Sequence, residues 1–513
     1  MYKDIEKNFQ LIFSTSFKKK RIKKRELVGM RRILSPQDSR ILHLVEFLYD
    51  KDELFMRDLG DELNVSFKTL KRDIEYARLI LYPIDIKVSG NKGVKLVIPS
   101  NYSITYLYTA LLSASLEFRF LEKIFLCETY TVDELAEELF ISSSSLRRMV
   151  GRMNEVLQEE EMEINLNPVQ IIGNELRIYN LIAYYVLERY FFKKTIFTKA
   201  QIEAVKDLIA FALKQSYVEL DYRSRERLEL YILVQLTRMK HDHFVVSEPN
   251  LNRKNIFLDV DTTVIKKKLK DSFGKEFSNQ DLLQLFAIFL DGKWTFGYNQ
   301  LLEYSKVNPN LKQAKEKFEE LFESIAFKYK IEQTSREELL VHLCNIRMQD
   351  DGAYHTLYDN LSPIVTHFKH DYFEGIEFIR LKLIEIFPDE ELKEYKLNAY
   401  ISILIIHWDK FFFELERKVI PLKIGFVYIV EEKYRKLILD EISYRFKNRF
   451  TIKVINDDSL GDIEKVKNQC DLILTNIPGI DIPGLEVICF PIYPKEKDWS
   501  RLEYFYSNFN FPK

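Results

Sequence analysis

The stretch "DLGDELNVSFKTLKRDI", Asp58 to Ile74, is written again as "ELAEELFISSSSLRRMV", Glu134 to Val150. The copies align with an offset of 76 residues: Leu59 on Leu135, Glu62–Leu63 on Glu138–Leu139, Val65–Ser66 on Ile141–Ser142, and Leu70 through Ile74 on Leu146 through Val150. A repeated unit sets an architecture before any single residue does.

Within the first copy, Leu59 and Leu63 are four apart and share one face of a short helix. Leu70, Ile74, Ala77 and Leu81 follow the i, i+4, i+7, i+11 spacing of a second helix. Between them "NVS" predicts a tight turn, with Val65 filling the gap and Ser66 capping the second helix. Gly60 is small enough to let the helices approach. The second copy repeats each device with Leu135, Leu139, Ala136, Ile141 and Ser142, then a stripe of Leu146, Val150, Met153 and Leu157. A supporting helix precedes each, in "PQDSRILHLVEFLYD" and "LEFRFLEKIFLCE". A β-hairpin follows each, in "IDIKVSGNKGVKLVIP" and "MEINLNPVQIIGNELRI". This is the pattern of two winged helix-turn-helix units in tandem.

Opposite each buried stripe lie the residues with chemistry to offer. The first helix presents Lys68, Lys71, Arg72 and Arg78, and the second Ser144, Arg147, Arg148 and, nearby, Arg152. Long cationic donors here can neutralise phosphates and pair with guanine edges. A lone basic helix is often only a solvated face, but two capped and winged copies in register point to DNA. The tract "KKKRIKKRELVGMRR", Lys18 to Arg32, adds nine positive charges, as a phosphate-contacting arm or as a solvated segment.

Charge distribution agrees. The chain has 513 residues, 46% hydrophobic and 30% charged, with net charge −2. Residues 1–100 hold 21 Lys and Arg against 14 Asp and Glu, a net of +7, so the remainder carries −9. A basic head on an acidic body suits nucleic-acid binding coupled to regulation. The four cysteines, Cys127, Cys344, Cys470 and Cys489, form no CxxC, which favours neither zinc nor a disulfide framework. No signal peptide and no membrane span is expected, and the cytoplasm is the expected location.

From about Glu175 amphipathic helical stretches alternate with short polar breaks. "LELYILVQLTRMKHD" (228–242) and "LLVHLCNIRMQDDG" (339–352) are comparable apolar helices, each with an Arg-Met pair before a charged end. They predict two related all-helical modules, 174–290 and 291–416. In the second, Leu339, Leu343 and Ile346 mark a buried face and His342 lies at its edge. No other histidine stands near it in sequence to suggest a metal pair. His241/His243 and His367/His370 are closely spaced but lack matching acidic or cysteine ligands. After about Pro421 the runs "KIGFVYIV", "FTIKVIN", "CDLILTNI" and "EVICF" alternate with helix, predicting a small α/β domain with a parallel sheet and no Gly-rich phosphate loop.

In this order, two winged units, two helical modules and an α/β domain, the chain resembles the Mga/AtxA family of virulence regulators of Gram-positive bacteria over nearly its whole length. "LNVSFKTLKRDI", "ELFISSSSLRRMVGRMNEVL" followed by "GNELRI", and the "HLCNIR" helix carry the resemblance most specifically. It implies that the helical modules are phosphotransferase-system regulatory domains (PRDs) and that the last domain is like an EIIB component. It further implies a dimeric transcription regulator, most simply an activator, tuned by histidine phosphorylation from phosphotransferase-system phosphocarrier proteins. His342 falls at the phosphoacceptor position of the second module. Aligning Arg238 with the corresponding arginine of the first places Tyr231 where histidine is expected, with His241 and His243 nearby but out of register. EIIB enzymes carry a phosphorylated cysteine directly after the first strand, whereas "IGFVYIVEEKY" has none, so the C-terminal domain is expected to serve association.

The expected layout is therefore a multidomain, mainly α chain. It comprises a basic segment (1–34), winged helix-turn-helix units (35–100 and 101–173), PRD-like modules (174–290 and 291–416) and an EIIB-like α/β domain (417–513). The expected partners are double-stranded promoter DNA, a second copy or higher oligomer, and phosphocarrier proteins. No enzymatic activity, cofactor or metal is expected. A PRD-containing RNA-binding antiterminator and a phosphocarrier of a sugar phosphotransferase system are the competing readings. The winged units argue against the first and the missing cysteine against the second.

Overall fold

The computed structural model describes residues 29–51, 54–89, 93–191, 196–216, 220, 222–245, 260–287, 294–348, 355–388, 392–408, 411, 421–446, 449–455 and 469–510. Most of the basic tract 18–32 lies outside them.

Both repeats fold as their spacing predicts. In the first, α1 (Pro36–Asp50), α2 (Met56–Leu63) and α3 (Phe67–Ile80) lead into an antiparallel hairpin of β1 (Asp85–Ser89) and β2 (Gly93–Val97). After a connecting helix α4 (Ile104–Ala114), the second repeats the plan with α5 (Leu116–Leu126), α6 (Val132–Glu138), α7 (Ser143–Leu157), β3 (Met162–Leu166) and β4 (Val169–Gly173). The caps are equivalent. Ser66 accepts a hydrogen bond from the Thr69 N–H, and Ser142 from the Ser145 N–H. The turns are equivalent too, with Asn64 at φ 52° and Phe140 at φ 57°. Val65 N–H donates to the Gly60 carbonyl at 3.0 Å and Ile141 N–H to that of Ala136 at 2.9 Å. A Cβ on Gly60 would meet the Val65 carbonyl oxygen at 3.3 Å, and Ala136 carries one at the matching position, so the approach is tight without demanding glycine.

All eight stripe residues, Leu70, Ile74, Ala77, Leu81, Leu146, Val150, Met153 and Leu157, are buried. The first unit has its own core, built on Leu44, Leu59, Leu70 and Ile74. The second does not: Leu135, Leu146 and Met153 belong to one apolar cluster that runs on through Ile178, Tyr185, Leu208, Leu233 and Leu269. The residues after α8 (Glu175–Tyr190) follow as α9 (Lys199–Ser216), α10 (Tyr222–Lys240), α11 (Thr263–Phe273) and α12 (Asn279–Leu285). Gly173 makes the junction with the wing: at φ +133°, a Cβ there would lie 2.2 Å from the Glu161 carbonyl oxygen.

A separate core, including Phe318, Phe322, Leu343, Tyr400 and Trp408, joins α13 (Tyr298–Val307), α14 (Pro309–Tyr329), α15 (Arg336–Met348), α16 (Ser362–Asp371), α17 (Phe373–Ile386) and α18 (Glu394–His407). This module docks on the first through a clamp on α8. The Glu188 carboxylate accepts the backbone N–H groups of Thr356, of Leu357 at 2.7 Å and of Tyr358 at 3.1 Å. Arg31 holds the same loop, donating to the Leu357 carbonyl at 2.6 Å.

The C-terminal domain is a four-stranded sheet, all parallel as the strand runs predict, in the order β6 (Phe450–Val454), β5 (Leu422–Val427), β7 (Leu472–Thr475), β8 (Glu486–Cys489). Ile424, Phe426, Leu472 and Leu474 face α19 (Glu432–Phe446) and α20 (Glu496–Asn510) through Ile438, Ile442 and Trp499. Gly425 is needed on the other face, where a Cβ would sit 2.5 Å from Ile473 Cδ1.

Candidate DNA interface and regulatory histidines

The exposed side of α3 presents Lys68, Lys71 and Arg72, and that of α7 presents Ser144, Arg147 and Arg148. These residues are free of the core because the buried stripes take the opposite face of each helix. Arg148 touches Ser145 Oγ at 3.3 Å, and Ser144 and Ser142 share a hydroxyl contact of 3.0 Å, both at the α7 N-terminus. Lys71 and Arg72 occupy in the first unit the positions that Arg147 and Arg148 occupy in the second.

Two basic residues named from the sequence also reach other elements of the fold while keeping much of their side chains exposed. Arg152 reaches Glu117 on α5 at 3.2 Å. Glu117 is buried, and burial pushes its carboxyl up from the ordinary value against the pull of Ser115 and Arg152. A buried carboxylate needs a donor, so Arg152 is a brace between supporting and recognition helices. The first unit builds the same brace with reversed charges: Asp73 on α3 is buried and accepts Arg40 of α1 at 2.8 and 3.2 Å. Arg78 donates to the Ile86 carbonyl at 2.7 Å and pairs with Asp85 at 3.3 Å, holding the wing. At the end of the basic tract, Arg31 pairs with Glu46 at 2.9 Å, which ties it to the fold, and Arg32 with Glu159 at 2.5 Å on the surface.

Helix spacing did not single out the wing lysines. Lys87 and Lys95 face each other across β1 and β2, both exposed. Like charges directly opposite weaken a hairpin, which an anion between them would relieve. The second wing pairs Glu163 with Ile172 and Asn165 with Gln170 on either side of its central Ile164–Ile171 pair, so the two wings differ in charge.

The histidines fall into two settings. His241 and His243 follow α10, where the buried Arg238 donates to Glu128 at 2.6 Å, to Glu175 at 2.6 Å and to the Ile171 carbonyl at 2.8 Å. His243 Nε2 lies 2.8 Å from Glu128, and its Nδ1 3.6 Å from Glu175. His241 Nε2 is buried without a hydrogen-bond partner, and burial holds its imidazole below the ordinary value. A dianion added to His243 would meet two carboxylates, Glu128 and Glu175. Tyr231, on the same helix, stacks edge-on against Tyr179 at 6.1 Å.

His342 is more open. It stands on α15 at the edge of the face formed by Leu339 and Leu343, with 37% of its side chain exposed. It borders a cavity of about 680 Å³ between Leu220 and Ser224 of the first module and the segments around Trp294–Tyr298 and Ser335–Asn345 of the second. The expectation that it has no histidine neighbour holds only along the chain. His407, from the last turn of α18, stacks on it with ring centroids 4.0 Å apart. Glu338 lies 2.7 Å from His407 Nδ1 and 3.7 Å from His342 Nε2. Burial lowers the His342 pKa first and the neighbouring His407 second, with Glu338 opposing both. Arg347 stacks over Phe387 at 5.1 Å.

In the last domain Cys470 is buried, and burial raises its thiol pKa, while Cys489 lies in β8. Among the described residues no helix is long and apolar enough to cross a membrane.

One family model falls on the second repeat. Residues 100–186 match the Mga helix-turn-helix domain, which spans α7 and continues into α8. Over 466 residues the chain is 24% identical to a trans-acting regulator of Streptococcus pneumoniae serotype 4, covering 88% of this chain and 94% of that one. It is 22% identical to the capsule synthesis positive regulator AcpB of Bacillus anthracis, covering 91% and 98%. The capsule synthesis positive regulator AcpA of the same organism is 27% identical over 209 residues, 40% of this chain and 43% of that one.

Proposed function

We infer that the chain is a transcription regulator of the Mga/AtxA type that binds promoter DNA through two winged helix-turn-helix units. The observation that carries this is a coincidence of place. The Mga helix-turn-helix match covers α7, the helix whose exposed face bears Arg147 and Arg148, and relatives named as regulators align over nearly the full length. Lys68, Lys71, Arg72, Ser144, Arg147 and Arg148 are the DNA-facing residues of this reading. The chain acts in the cytoplasm, without enzymatic activity, and as an activator, the sense that the names of both anthracis relatives carry. The antiterminator and phosphocarrier readings are not favoured.

The regulatory part of this reading rests on His342. A phosphoryl group there adds roughly −1.5 to −2 charges, taking the increment for hydroxyl residues as a guide. It would stand beside Glu337 and Glu338 at the wall of the intermodule cavity, and the repulsion would loosen that junction or the dimer. The C-terminal α/β domain, with no cysteine between β5 and α19, serves self-association.

Chromatin immunoprecipitation of the full chain, with and without a preferred sugar, tests DNA binding and metabolic response together. Promoter-enriched occupancy that changes with sugar is expected; absence of enrichment in both conditions overturns the reading. Labelled phosphoenolpyruvate with purified phosphotransferase proteins should label the wild type and not His342→Ala. Undiminished labelling in that variant would move the acceptor elsewhere.

A further inference from the structure

Glu338 and His342 are one helical turn apart on α15 and share a face. His407 reaches the same point from the end of α18, 69 residues after Glu338. One donor atom from each of Glu338, His342 and His407 lies within 4.8 Å of the other two. Among the described residues this is the one group of three His, Cys, Asp or Glu side chains with donors so close. A second observation is independent of the first. Glu338 and His342 form part of the wall of the cavity of about 680 Å³, so the cluster opens onto space able to hold a further ligand.

We propose that Glu338, His342 and His407 bind one divalent transition-metal ion of the Zn²⁺ class, with a water molecule on the cavity side as fourth ligand. Two imidazole nitrogens and one carboxylate oxygen are a donor set for Zn²⁺ or Co²⁺ rather than for Mg²⁺ or Ca²⁺, which take oxygen ligands. Three protein ligands leave one position open in a tetrahedral site. Bond lengths of about 2.0–2.1 Å place tetrahedral donors roughly 3.3 Å apart. The present 2.7 and 3.7 Å separations bracket that spacing. Binding lengthens one, shortens the other, and pivots the two stacked rings so that both lone pairs meet at one centre. All three side chains are partly exposed and free to make these shifts. The ion pins the end of α18 to α15, at the wall facing the first module. It also covers His342 Nε2, so an occupied site and a modified His342 exclude each other. The metal site itself does not depend on the chain being a regulator.

The untagged full chain, titrated with Co²⁺ as a spectroscopic probe and with Zn²⁺ by calorimetry, decides the matter. One Co²⁺ per chain should bind with the d–d absorption of a four- or five-coordinate centre and without a sulfur-to-cobalt charge-transfer band, and Zn²⁺ should displace it. Glu338→Gln and His407→Ala should each weaken binding roughly tenfold or more. Glu338→Gln keeps side-chain size, which separates ligand loss from misfolding. His367→Ala, an exposed histidine on α16, should bind as the wild type does. No stoichiometric ion, a sulfur-to-cobalt band, or unchanged affinity in both cluster variants overturns the proposal.

Discussion

Arg78 and Asn154 stand at the same position of the two repeats, 76 residues apart, and each ties its recognition helix to the backbone of its own wing. Arg78 donates to the Ile86 carbonyl at 2.7 Å. Asn154 donates to the Ile164 carbonyl at 3.0 Å and accepts the Ile164 N–H at 2.8 Å. Different side chains thus do one job, fixing the angle between the helix and the hairpin that follows it. Asn154→Ala strands both polar groups of Ile164 and should cost about 1–3 kcal/mol. Amide exchange at Ile164 should quicken by the corresponding factor; unchanged protection would show that the wing is held by its core alone.

The recognition helices should divide the work of reading DNA. Removing a base-reading arginine costs about 1–3 kcal/mol and relaxes specificity. Arg147→Ala/Arg148→Ala and Lys71→Ala/Arg72→Ala should each weaken promoter binding in gel shifts. Arg152→Ala should instead lower thermal stability, because it leaves the buried Glu117 without its guanidinium. Promoter affinity and salt slope untouched in both double variants would remove these helices from the interface.

The Lys87–Lys95 pair should report on phosphate rather than sequence. Each phosphate contact contributes about 0.9 to the slope of log affinity against log salt on duplex DNA. Lys87→Ala/Lys95→Ala should flatten that slope by roughly 1–2 while leaving the preferred sequence unchanged. An identical slope would place the first wing off the DNA.

Docking of the second module through Glu188 should weaken with rising pH. Burial pushes this carboxyl up to about 7 against the opposing pull of three backbone N–H groups. An unfolded glutamate titrates near 4.3, so the folded value is the higher one. The contribution is therefore complete below about pH 4 and lost as pH rises through 7, with a span of about 4 kcal/mol. Intrinsic-rate-corrected exchange at Leu357 and Tyr358 should quicken from pH 5.5 to 8 in the wild type and stay level in Glu188→Gln. A level profile in both would mean that the carboxylate is ionised throughout.

Association should depend on the C-terminal domain. Its helix α19 leaves Leu437 and Tyr444 exposed, seven residues apart on one face. A chain ending near Lys418 should sediment as a weaker dimer than the full chain, by tenfold or so in dissociation constant, which is about 1.4 kcal/mol. Equal dimer strength would put the interface in the helical modules.

Local periodicity determined a great deal. The apolar spacing of Leu70 to Leu81 and of Leu146 to Leu157, and the serine caps before them, are properties of contiguous residues, so the repeated helices were legible directly. The same holds for the four β runs after Pro421 and for His342 at the rim of its helix, since a period of two or of 3.6 names a buried face without knowing what covers it. What covers it, and which polar groups meet there, only the tertiary structure decided. Arg152 looks like Arg148 in the sequence; Glu117, 35 residues away, makes it a brace. Arg78 sits on the basic face by spacing, and the return of the wing removes it. His342 has no histidine near it along the chain, and the packing of α18 against α15 brings His407 to within stacking distance. In each case the deciding partner comes from a distant segment, and burial, which makes an unpaired charge costly, settles the side chain's role.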